Sequence, residues 1–320
     1  MLLRFFRIDM MVRMLVAALV LATVLPATDQ YQIVARGLSN VGIFALFFFN
    51  GLRLSRSDVV DGLRNTQLII PIILWCFGAM AMAGYGLYWL GSDLLPPLVA
   101  MGLLYLGVMP STVQSATAYS SMANGNVASS VVIAGVTNVL GIFVCAPIFA
   151  SMSGGAQVDL GYDGLTKLFL ILLLPFTLGQ ILQSRLRNWM NSRSQLIVWL
   201  DRSAIAIAVY VAFSAAVEQD VWGRLDLAAW GILFALLTAL LVFAFYGAWS
   251  LSGIVGLTHQ DRISFTFAGA HKSIAMGAPL ALILFPPVEA GLILVPLLIY
   301  HLLQLIVSAP VADRFRIMSR

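Results

Sequence analysis

The sequence predicts an all-α integral membrane protein with ten transmembrane helices, arranged as two inverted repeats of five helices. Three observations carry this prediction: 61% of the 320 residues are hydrophobic and only 10% are charged, long apolar runs recur along the chain, and arginines gather in alternate loops. A soluble domain carries about 25% charged residues, so no aqueous fold could hide this much apolar surface. Helices suit the bilayer because they satisfy their own backbone hydrogen bonds.

Apolar runs of at least about 18 residues, the length that crosses the hydrocarbon core, define ten candidate spans. They cover residues 10-27, 32-52, 66-90, 94-122, 126-150, 164-184, 195-217, 227-257, 261-285 and 289-311. Only a short polar turn at 123-125 separates the fourth span from the fifth. The first span also has the outline of a signal peptide. Its removal would leave nine spans and disrupt the alternation of charge along the chain.

The placement of arginine predicts the orientation. One set of loops is rich in arginine, with Arg4, Arg7, Arg13, Arg53, Arg56, Arg64, Arg185, Arg187, Arg193, Arg262, Arg314, Arg316 and Arg320. The opposite loops hold mainly carboxylates, namely Asp29, Asp93, Asp159, Asp163, Glu218, Asp220, Asp226 and Glu289. By the positive-inside rule both termini are cytoplasmic, and the protein is a multi-pass protein of the cell inner (plasma) membrane.

A short polar segment divides the chain into two halves. The first repeat covers residues 1-152, a connecting loop covers 153-163, and the second repeat covers 164-320. Because five is odd, the second half must enter the membrane inverted. In each half the fourth span is the one most interrupted by Pro, Gly and small polar residues, at 110-126 and 269-279. Paired broken segments at matching positions indicate a secondary transporter with its site at the midplane, although Gly and Pro are also common in membrane helices generally.

The first broken segment is too polar to face lipid. Unwound backbone at membrane depth is tolerated only where it is buried in protein or lines a cavity. Its carbonyl, hydroxyl and amide oxygens are ligands that suit a hard cation. Gln114, Ser115 and Thr117 are the leading ion-binding candidates here, and Thr112 and Thr117 are candidates for substrate binding or coupling. The alternative is that these side chains join neighbouring helices by hydrogen bonds.

The fifth span adds polar side chains beside this segment. Asn126, Ser130 and Thr137 share one helical stripe that would face a single neighbour. Asn126 and Ser130 extend the candidate ion site, whereas Thr137 and Asn138 are candidates for substrate binding or coupling. In the tenth span His301 and Gln304 share a face, and hydrogen bonding between packed helices is the favoured interpretation for that pair.

The second broken segment contains His271, Lys272 and Ser273, which are further candidates for substrate binding or coupling. Lys272 lies about 15 Å from the end of its span at 1.5 Å per residue, too deep for its ammonium to reach water fully. A cation at helix centre costs about 2.5 to 3.5 kcal/mol, so it should pair with a ligand or with carbonyl groups, or lose its proton. The alternatives for Lys272 are a coupling role and a structural role in capping broken helices. His271 either joins a proton relay or is a satisfied interior histidine.

Several function classes lack their motifs in this sequence. There is no GxxxxGK[ST] nucleotide loop, no HExxH and no CxxC, so the chain is predicted not to be an enzyme or an ATP-driven pump. The arginines are scattered, which argues against a nucleic-acid partner. The carboxylates lie in loops or near span ends, and Asp201 and Glu289 come closest to an interior. Transport driven by an existing gradient remains, and membrane lipid is the expected surrounding. The sequence does not determine the oligomeric state.

These segments resemble the bile acid:sodium symporter family, in particular the branch of member seven of solute carrier family ten and its bacterial relatives. The matching stretches are Phe47-Phe48-Phe49-Asn50-Gly51-Leu52, Met109-Pro110-Ser111-Thr112-Val113-Gln114-Ser115, Gly125-Asn126-Val127-Ala128, Ala270-His271-Lys272-Ser273-Ile274-Ala275-Met276-Gly277, Glu289-Ala290-Gly291-Leu292 and Pro296-Leu297-Leu298-Ile299-Tyr300-His301. They spread over nearly the whole chain, and together they are specific.

The resemblance implies ten helices in a panel domain and a core domain, with crossed, discontinuous fourth and ninth helices in the core. It implies a sodium-coupled symporter of a small organic anion that works by alternating access. By position, the first sodium site of the family falls on Gln114, Ser115 and Ser130, and no other cofactor is implied.

Three positions depart from the family pattern, and at one of them a Gln of the family falls near Ala270 or His271. The bile acid transporters carry a Glu in the ninth helix that touches both sodium ions, and the corresponding residue here is about Phe267. An Asn of the family corresponds to Lys272, which suggests a tethered cation or a group that takes up and releases a proton. A proton-coupled or uncoupled transporter and a non-transporting membrane regulator are the alternatives.

Overall fold

The computed structural model describes residues 10–53, 64–154, 166–218, 223 and 225–318. Within these ranges the chain is helical and forms no strand, which confirms the all-α prediction. We number twelve helices in chain order. They are α1 (Met10–Val24), α2 (Asp29–Arg53), α3 (Thr66–Gly91), α4 (Pro97–Val108), α5 (Gln114–Met122), α6 (Val127–Met152), α7 (Leu174–Ser192), α8 (Ser194–Val217), α9 (Leu227–Ile254), α10 (His259–Ala270), α11 (Ile274–Leu284) and α12 (Pro287–Met318).

Eight stretches of the described residues are helical, long and apolar enough to cross a membrane. α1 and α4 are apolar but shorter, with 15 and 12 residues. Two of the predicted spans are each a pair of helices joined by extended backbone. The span at 94-122 divides into α4 and α5, and the span at 261-285 divides into α10 and α11. The chain is therefore a multi-span membrane protein, with breaks inside both predicted broken segments.

The segment predicted as a loop between the sixth and seventh spans is helical. α7 continues to Ser192 and α8 begins at Ser194, so only Arg193 lies between the two helices. The segment from Gln180 to Ser192 contains no Pro or Gly to end the helix. Other parts of the charge pattern and most of the connecting loop fall outside the described residues, including Arg4, Arg7, Arg56, Asp159, Asp163, Asp220, Arg224 and Arg320.

Hydrogen bonds between helix ends agree with the predicted division of the loops into two sides. Gln67 Nε2 donates to Val255 O over 2.9 Å, and Asn126 N donates to Gln260 O over 3.1 Å. All four residues belong to ends that the arginine pattern assigns to one side. At the opposite end of the helices, the Tyr210 hydroxyl donates to Leu25 O.

Burial distinguishes the helices around the breaks from those at the periphery. The apolar windows of α10 with α11 and of α12 are 83% and 72% buried. Those of α2 and of the stretch Thr166–Leu186, which includes the first part of α7, are only 22% and 17% buried. α4 is buried from Val99 to Val108. α3 and α4 touch backbone to backbone, because a Cβ at Gly107 would lie 2.7 Å from Met80 O. The breaks therefore lie within the protein interior.

A π-helical turn, Leu74–Ala79, interrupts α3 beside the second break. It follows Pro71, which cannot donate a backbone hydrogen bond within the helix. The turn presents Trp75, whose indole Nε1 donates to Gly269 O over 3.1 Å. A Cβ added at Gly269 would lie 2.8 Å from the Trp75 ring. Such π turns occur often at functional sites, and this one places the Trp75 side chain of α3 against the carboxyl end of α10.

Candidate functional site at the helix breaks

The two helix breaks are in direct contact. Ser273 N, in the second break, donates to Pro110 O in the first break over 2.9 Å. The Tyr105 hydroxyl of α4 donates to Gly277 O of α11 over 2.7 Å. The carboxyl ends of α4 and α10 and the amino ends of α5 and α11 therefore meet in one place. These ends carry the unpaired backbone groups and the partial charges of the four helices.

Local sequence explains why each helix stops where it does. Pro110 has no N–H, and the residue before it, Met109, is extended at φ −68° and ψ 146°. On the other side of the first break, Thr112 Oγ1 accepts a hydrogen bond from Ala116 N over 3.3 Å. Ser273 is the N-cap of α11, since its Oγ accepts from Met276 N over 3.3 Å. The amino end of α11 is thus capped by a hydroxyl, whereas at α5 the hydroxyl comes from Thr112, one residue before the N-cap Val113.

The ammonium of Lys272 lies at the carboxyl end of α4 and is fully buried. Its Nζ donates to Gly107 O and to Met109 O over 2.8 Å each, with a longer contact of 3.4 Å to Cys76 O. No carboxylate among the described residues pairs with it. Instead, its positive charge faces the negative end of the helix dipole. Lys272 is therefore a cation held by three backbone carbonyls.

The side chain of Gln304 in α12 holds the backbone of Lys272. Its Oε1 accepts from Lys272 N over 2.8 Å, and its Nε2 donates to Lys272 O over 3.2 Å. The same Nε2 lies 2.9 Å from His301 Nδ1. One helical turn away, the Tyr300 hydroxyl donates to Ala270 O. Sequence reasoning assigned His301 and Gln304 to helix packing, and the structure shows that they serve the second break.

His271 links the first break to α12 and is also fully buried. Its Nδ1 lies 3.0 Å from Ser115 Oγ and 3.2 Å from Thr112 Oγ1, and its Nε2 lies 2.7 Å from Ser308 Oγ. The two hydroxyls on the Nδ1 side are themselves 2.6 Å apart. Because a hydroxyl can donate or accept, either neutral tautomer of the imidazole is satisfied. Three rings surround the imidazole edge-on, those of Tyr119, Phe245 and Phe267.

The other candidate ion ligands are placed at different depths. Thr117 Oγ1 and the buried Ser130 Oγ are 3.2 Å apart, which joins α5 to α6. Gln114, the first residue of α5, is exposed. Asn138 Nδ2 donates to Ser111 O in the first break, whereas Thr137 Oγ1 donates only to carbonyls of its own helix. The hydroxyls at the amino end of α5 are thus the oxygens that the structure brings together.

Asn126 lies in a separate cluster with Asp261, a residue that sequence reasoning did not select. Asn126 Nδ2 and Ser129 Oγ both donate to Asp261 Oδ1, over 2.9 and 2.7 Å. Thr258 Oγ1 donates to the other carboxylate oxygen, and Asp261 N donates to Thr258 Oγ1. A threonine followed by an acid three residues later is the capping-box spacing, which could have predicted the bonds between Thr258 and Asp261 but not the contact of Asp261 with Asn126.

The groups at the two breaks are suited to binding a cation or an anion. No group of three or more His, Cys, Asp and Glu side chains that could hold a metal lies within the part of the chain that the structure describes. A hard cation near the first break would therefore take neutral oxygens from hydroxyl, amide and carbonyl groups. That donor set suits sodium by ligand type. The amino ends of α5 and α11 favour a negatively charged ligand.

Comparison with known proteins adds a family. The profile of the SBF-like CPA transporter family matches residues 9–317. An uncharacterized protein of Pseudomonas aeruginosa is 34% identical over 306 residues, covering 94% of this chain and 91% of that protein. The proposed symporter YfeH of Escherichia coli is 33% identical over 315 residues, with the same coverage. The sodium/bile acid cotransporter 7 of Mus musculus is 25% identical over 283 residues, covering 85% of this chain and 81% of that protein.

Proposed function

The chain belongs to the SBF-like CPA transporter family, whose members are membrane transporters and not enzymes, and on that premise we propose that it is a sodium-coupled symporter of a small organic anion. Transport proceeds by alternating access at the contact between the two helix breaks. The observation that carries this proposal is the fully buried Lys272, a cation that bridges the two breaks at the ends of four helices. Sodium and bile acid appear in the names of the more distant relatives.

The proposed architecture counts ten spans in two inverted repeats. It takes α1, the pair α4 with α5, and the pair α10 with α11 as one span each, in addition to the seven other long helices. Discontinuous segments at matching positions of the two halves support the repeat. Both termini are cytoplasmic in this arrangement, and the protein resides in the inner (plasma) membrane among its lipids. The predicted repeats at 1-152 and 164-320 are retained.

The substrate site lies at the amino ends of α5 and α11. The positive ends of these helices and the nearby ammonium favour an anionic group. Access is easiest at the first break, because Gln114 is exposed and Ser115, Thr117 and Asn138 are half-buried around it. Thr112, which is buried behind them, fixes the start of α5. The break thus combines an open polar edge with a fixed, positively polarised interior.

The proposal includes two cation positions. Sodium is held by Gln114, Ser115 and Ser130, whose amide and hydroxyl oxygens are suitable ligands. Thr117, which bonds Ser130, adds a hydroxyl next to them. The second position is taken by the Lys272 ammonium, which is bound to carbonyl oxygens as a metal ion would be. A resident ammonium replaces one transported cation, so one sodium accompanies each turnover.

The test is flux in proteoliposomes. Purified protein is reconstituted, and uptake of radiolabelled taurocholate, followed by sulfated and carboxylated organic anions, is measured with and without an inward sodium gradient. We expect sodium-driven uptake by the wild type and its loss in Ser130→Ala. Ser151→Ala should preserve uptake, because Ser151 is an exposed residue that donates a hydrogen bond to a carbonyl of its own helix. Uptake driven by a pH gradient without sodium would favour proton coupling. Absence of flux under any gradient would identify a non-transporting regulator.

A further inference from the structure

The backbone of Lys272, which lies between the extended residues His271 and Ser273, is held by one side chain. The Gln304 amide pairs with both the N–H and the C=O of Lys272, as a neighbouring strand would do. Gln304 is completely buried, so water cannot replace either bond. The position of the Lys272 ammonium on the α4 carbonyls therefore depends on the orientation of this amide. We call the pair of bonds from Gln304 to Lys272 the amide clamp.

His301, one helical turn before Gln304, fixes which end of the amide points where. Gln304 Nε2 has two N–H donors, one for Lys272 O and one for His301 Nδ1 at 2.9 Å. Nδ1 must therefore be an acceptor, which requires a neutral imidazole with its proton on Nε2. The buried His301 and Gln304 share a face of α12, so the contact is local to that helix.

A proton added to His301 is incompatible with this arrangement. The Nδ1–H of an imidazolium would point at the amide N–H, donor against donor. A flip of the Gln304 amide would restore a bond to His301, but it would then place Nε2 against Lys272 N–H and Oε1 against Lys272 O. Both bonds of the amide clamp would be lost to regain one. Protonation of His301 thus releases the backbone of Lys272.

We propose that His301 and Gln304 are positioning residues that form a proton-sensitive clamp on Lys272, so that acid releases the contact between the two helix breaks. The clamp itself does not depend on the proposed transport function. Only its predicted effect on flux rests on that function. Because the closed clamp requires neutral His301, its stabilising effect is complete at high pH and is lost as His301 gains a proton.

The charges around His301 also oppose its protonation. His271 and Lys272 belong to the second break, whose backbone Gln304 holds next to His301, and a positive charge on either residue would repel an imidazolium. The other titratable groups of α12 and of the elements packed against it have other partners or positions. Glu289 lies at the amino end of α12 and Asp313, Arg314 and Arg316 lie near its carboxyl end, while Arg202 and Tyr210 belong to α8, where the Tyr210 hydroxyl donates to Leu25 O. Tyr105, Tyr119 and Tyr300 donate to carbonyls, Asp201 pairs with Arg53, Tyr246 is exposed, and Asp261, Arg262 and His259 lie at the far end of α10.

The decisive variant is His301→Asn. Asparagine Oδ1 and histidine Nδ1 are both bonded to Cγ, so the variant side chain retains an acceptor for the Gln304 amide that cannot take up a proton. Thermal unfolding of purified protein is followed at about pH 7.5 and about pH 5.5, which bracket the usual charge change of histidine. The wild type should lose more stability in acid than His301→Asn, whereas the surface control His259→Asn should behave like the wild type. This measurement needs no substrate.

Flux provides the second measurement. Uptake of the anion found in the proteoliposome screen should fall about fivefold in acid for the wild type, the effect of one neutral hydrogen bond, and should stay nearly constant for His301→Asn. His301→Leu, which removes the acceptor, should be slow at both pH values. Equal acid dependence of unfolding in the wild type and His301→Asn overturns the proposal, as does loss of that dependence in His271→Asn alone. A difference in unfolding without any flux leaves the clamp standing and rejects the transport function.

Discussion

Replacement of Lys272 by methionine tests whether its charge drives transport or only caps a helix. Methionine keeps the length and apolar character of the stem and removes the ammonium. The two 2.8 Å bonds to Gly107 O and Met109 O disappear, whereas the backbone bonds to Gln304 stay in place. The substitution therefore removes a charge and leaves the backbone scaffold of the break in place.

The contacts predict a small change in stability. Each buried carbonyl left without a donor costs about 1 to 3 kcal/mol, or about 2 to 6 kcal/mol for the two. Removal of a cation from the centre of a membrane helix recovers about 2.5 to 3.5 kcal/mol. The net destabilisation is therefore at most about 3.5 kcal/mol, and Lys272→Met should fold and insert. Replacement of a buried ion by an apolar side chain is often neutral in this way.

Transport should nevertheless be lost, because the positive charge at the breaks has no replacement. The assay compares size-exclusion profile, unfolding midpoint and anion flux for Lys272→Met and the wild type. Lys272→Arg retains a charge that does not readily dissociate, so it should transport only if the ammonium acts as a fixed cation. A normal rate with unchanged ion dependence in Lys272→Met would refute the reasoning and leave Lys272 as a cap on α4.

Three further predictions concern the ion site, the packing beside it and the topology. Sodium should raise the unfolding midpoint of the wild type and of Ser151→Ala but not of Ser130→Ala; equal stabilisation of all three would remove sodium from this site. In thermal unfolding, Gly269→Ala should destabilise the protein by about 1 to 3 kcal/mol, because the added methyl group would collide with the indole ring of Trp75 in α3. The control Gly231→Ala faces open space and should be neutral or stabilising by up to about 1 kcal/mol. Reporter tags at both termini and in segment 54–63 should all report cytoplasm, and a periplasmic signal from any of them would contradict the inverted topology.

Composition and local pattern carried much of the architecture. The all-helical membrane fold followed from apolar runs, which need no knowledge of their neighbours. The break at Pro110 was also visible locally, since proline lacks a donor and restricts the residue before it. The position of Ser273 as a cap was equally local. The segment 185-194 was misread as a loop, because its charges indicated the membrane surface, whereas it contains no Pro or Gly that would end the helix.

The candidate site was only partly accessible to such reasoning. His271, Lys272, Thr112 and Ser115 stood out as polar residues in apolar surroundings, and the structure brings them to the same contact. Asn126 and Thr137 stood out for the same reason, yet one binds a carboxylate at the end of α10 and the other binds its own helix. A single sequence shows which residues are polar but not which partner each one finds.

The sequence by itself determined that the chain is a membrane protein, at which positions its helices break, and that a lysine lies at the second break. Tertiary structure alone decided what that lysine touches. Its carbonyl partners stand 163 and 165 positions away at the carboxyl end of α4, and the glutamine that holds its backbone stands 32 positions away in α12. Helical periodicity records which face of one helix is apolar over a few turns. It holds no information on which other helix will cover that face, because that choice is made when all the helices pack together.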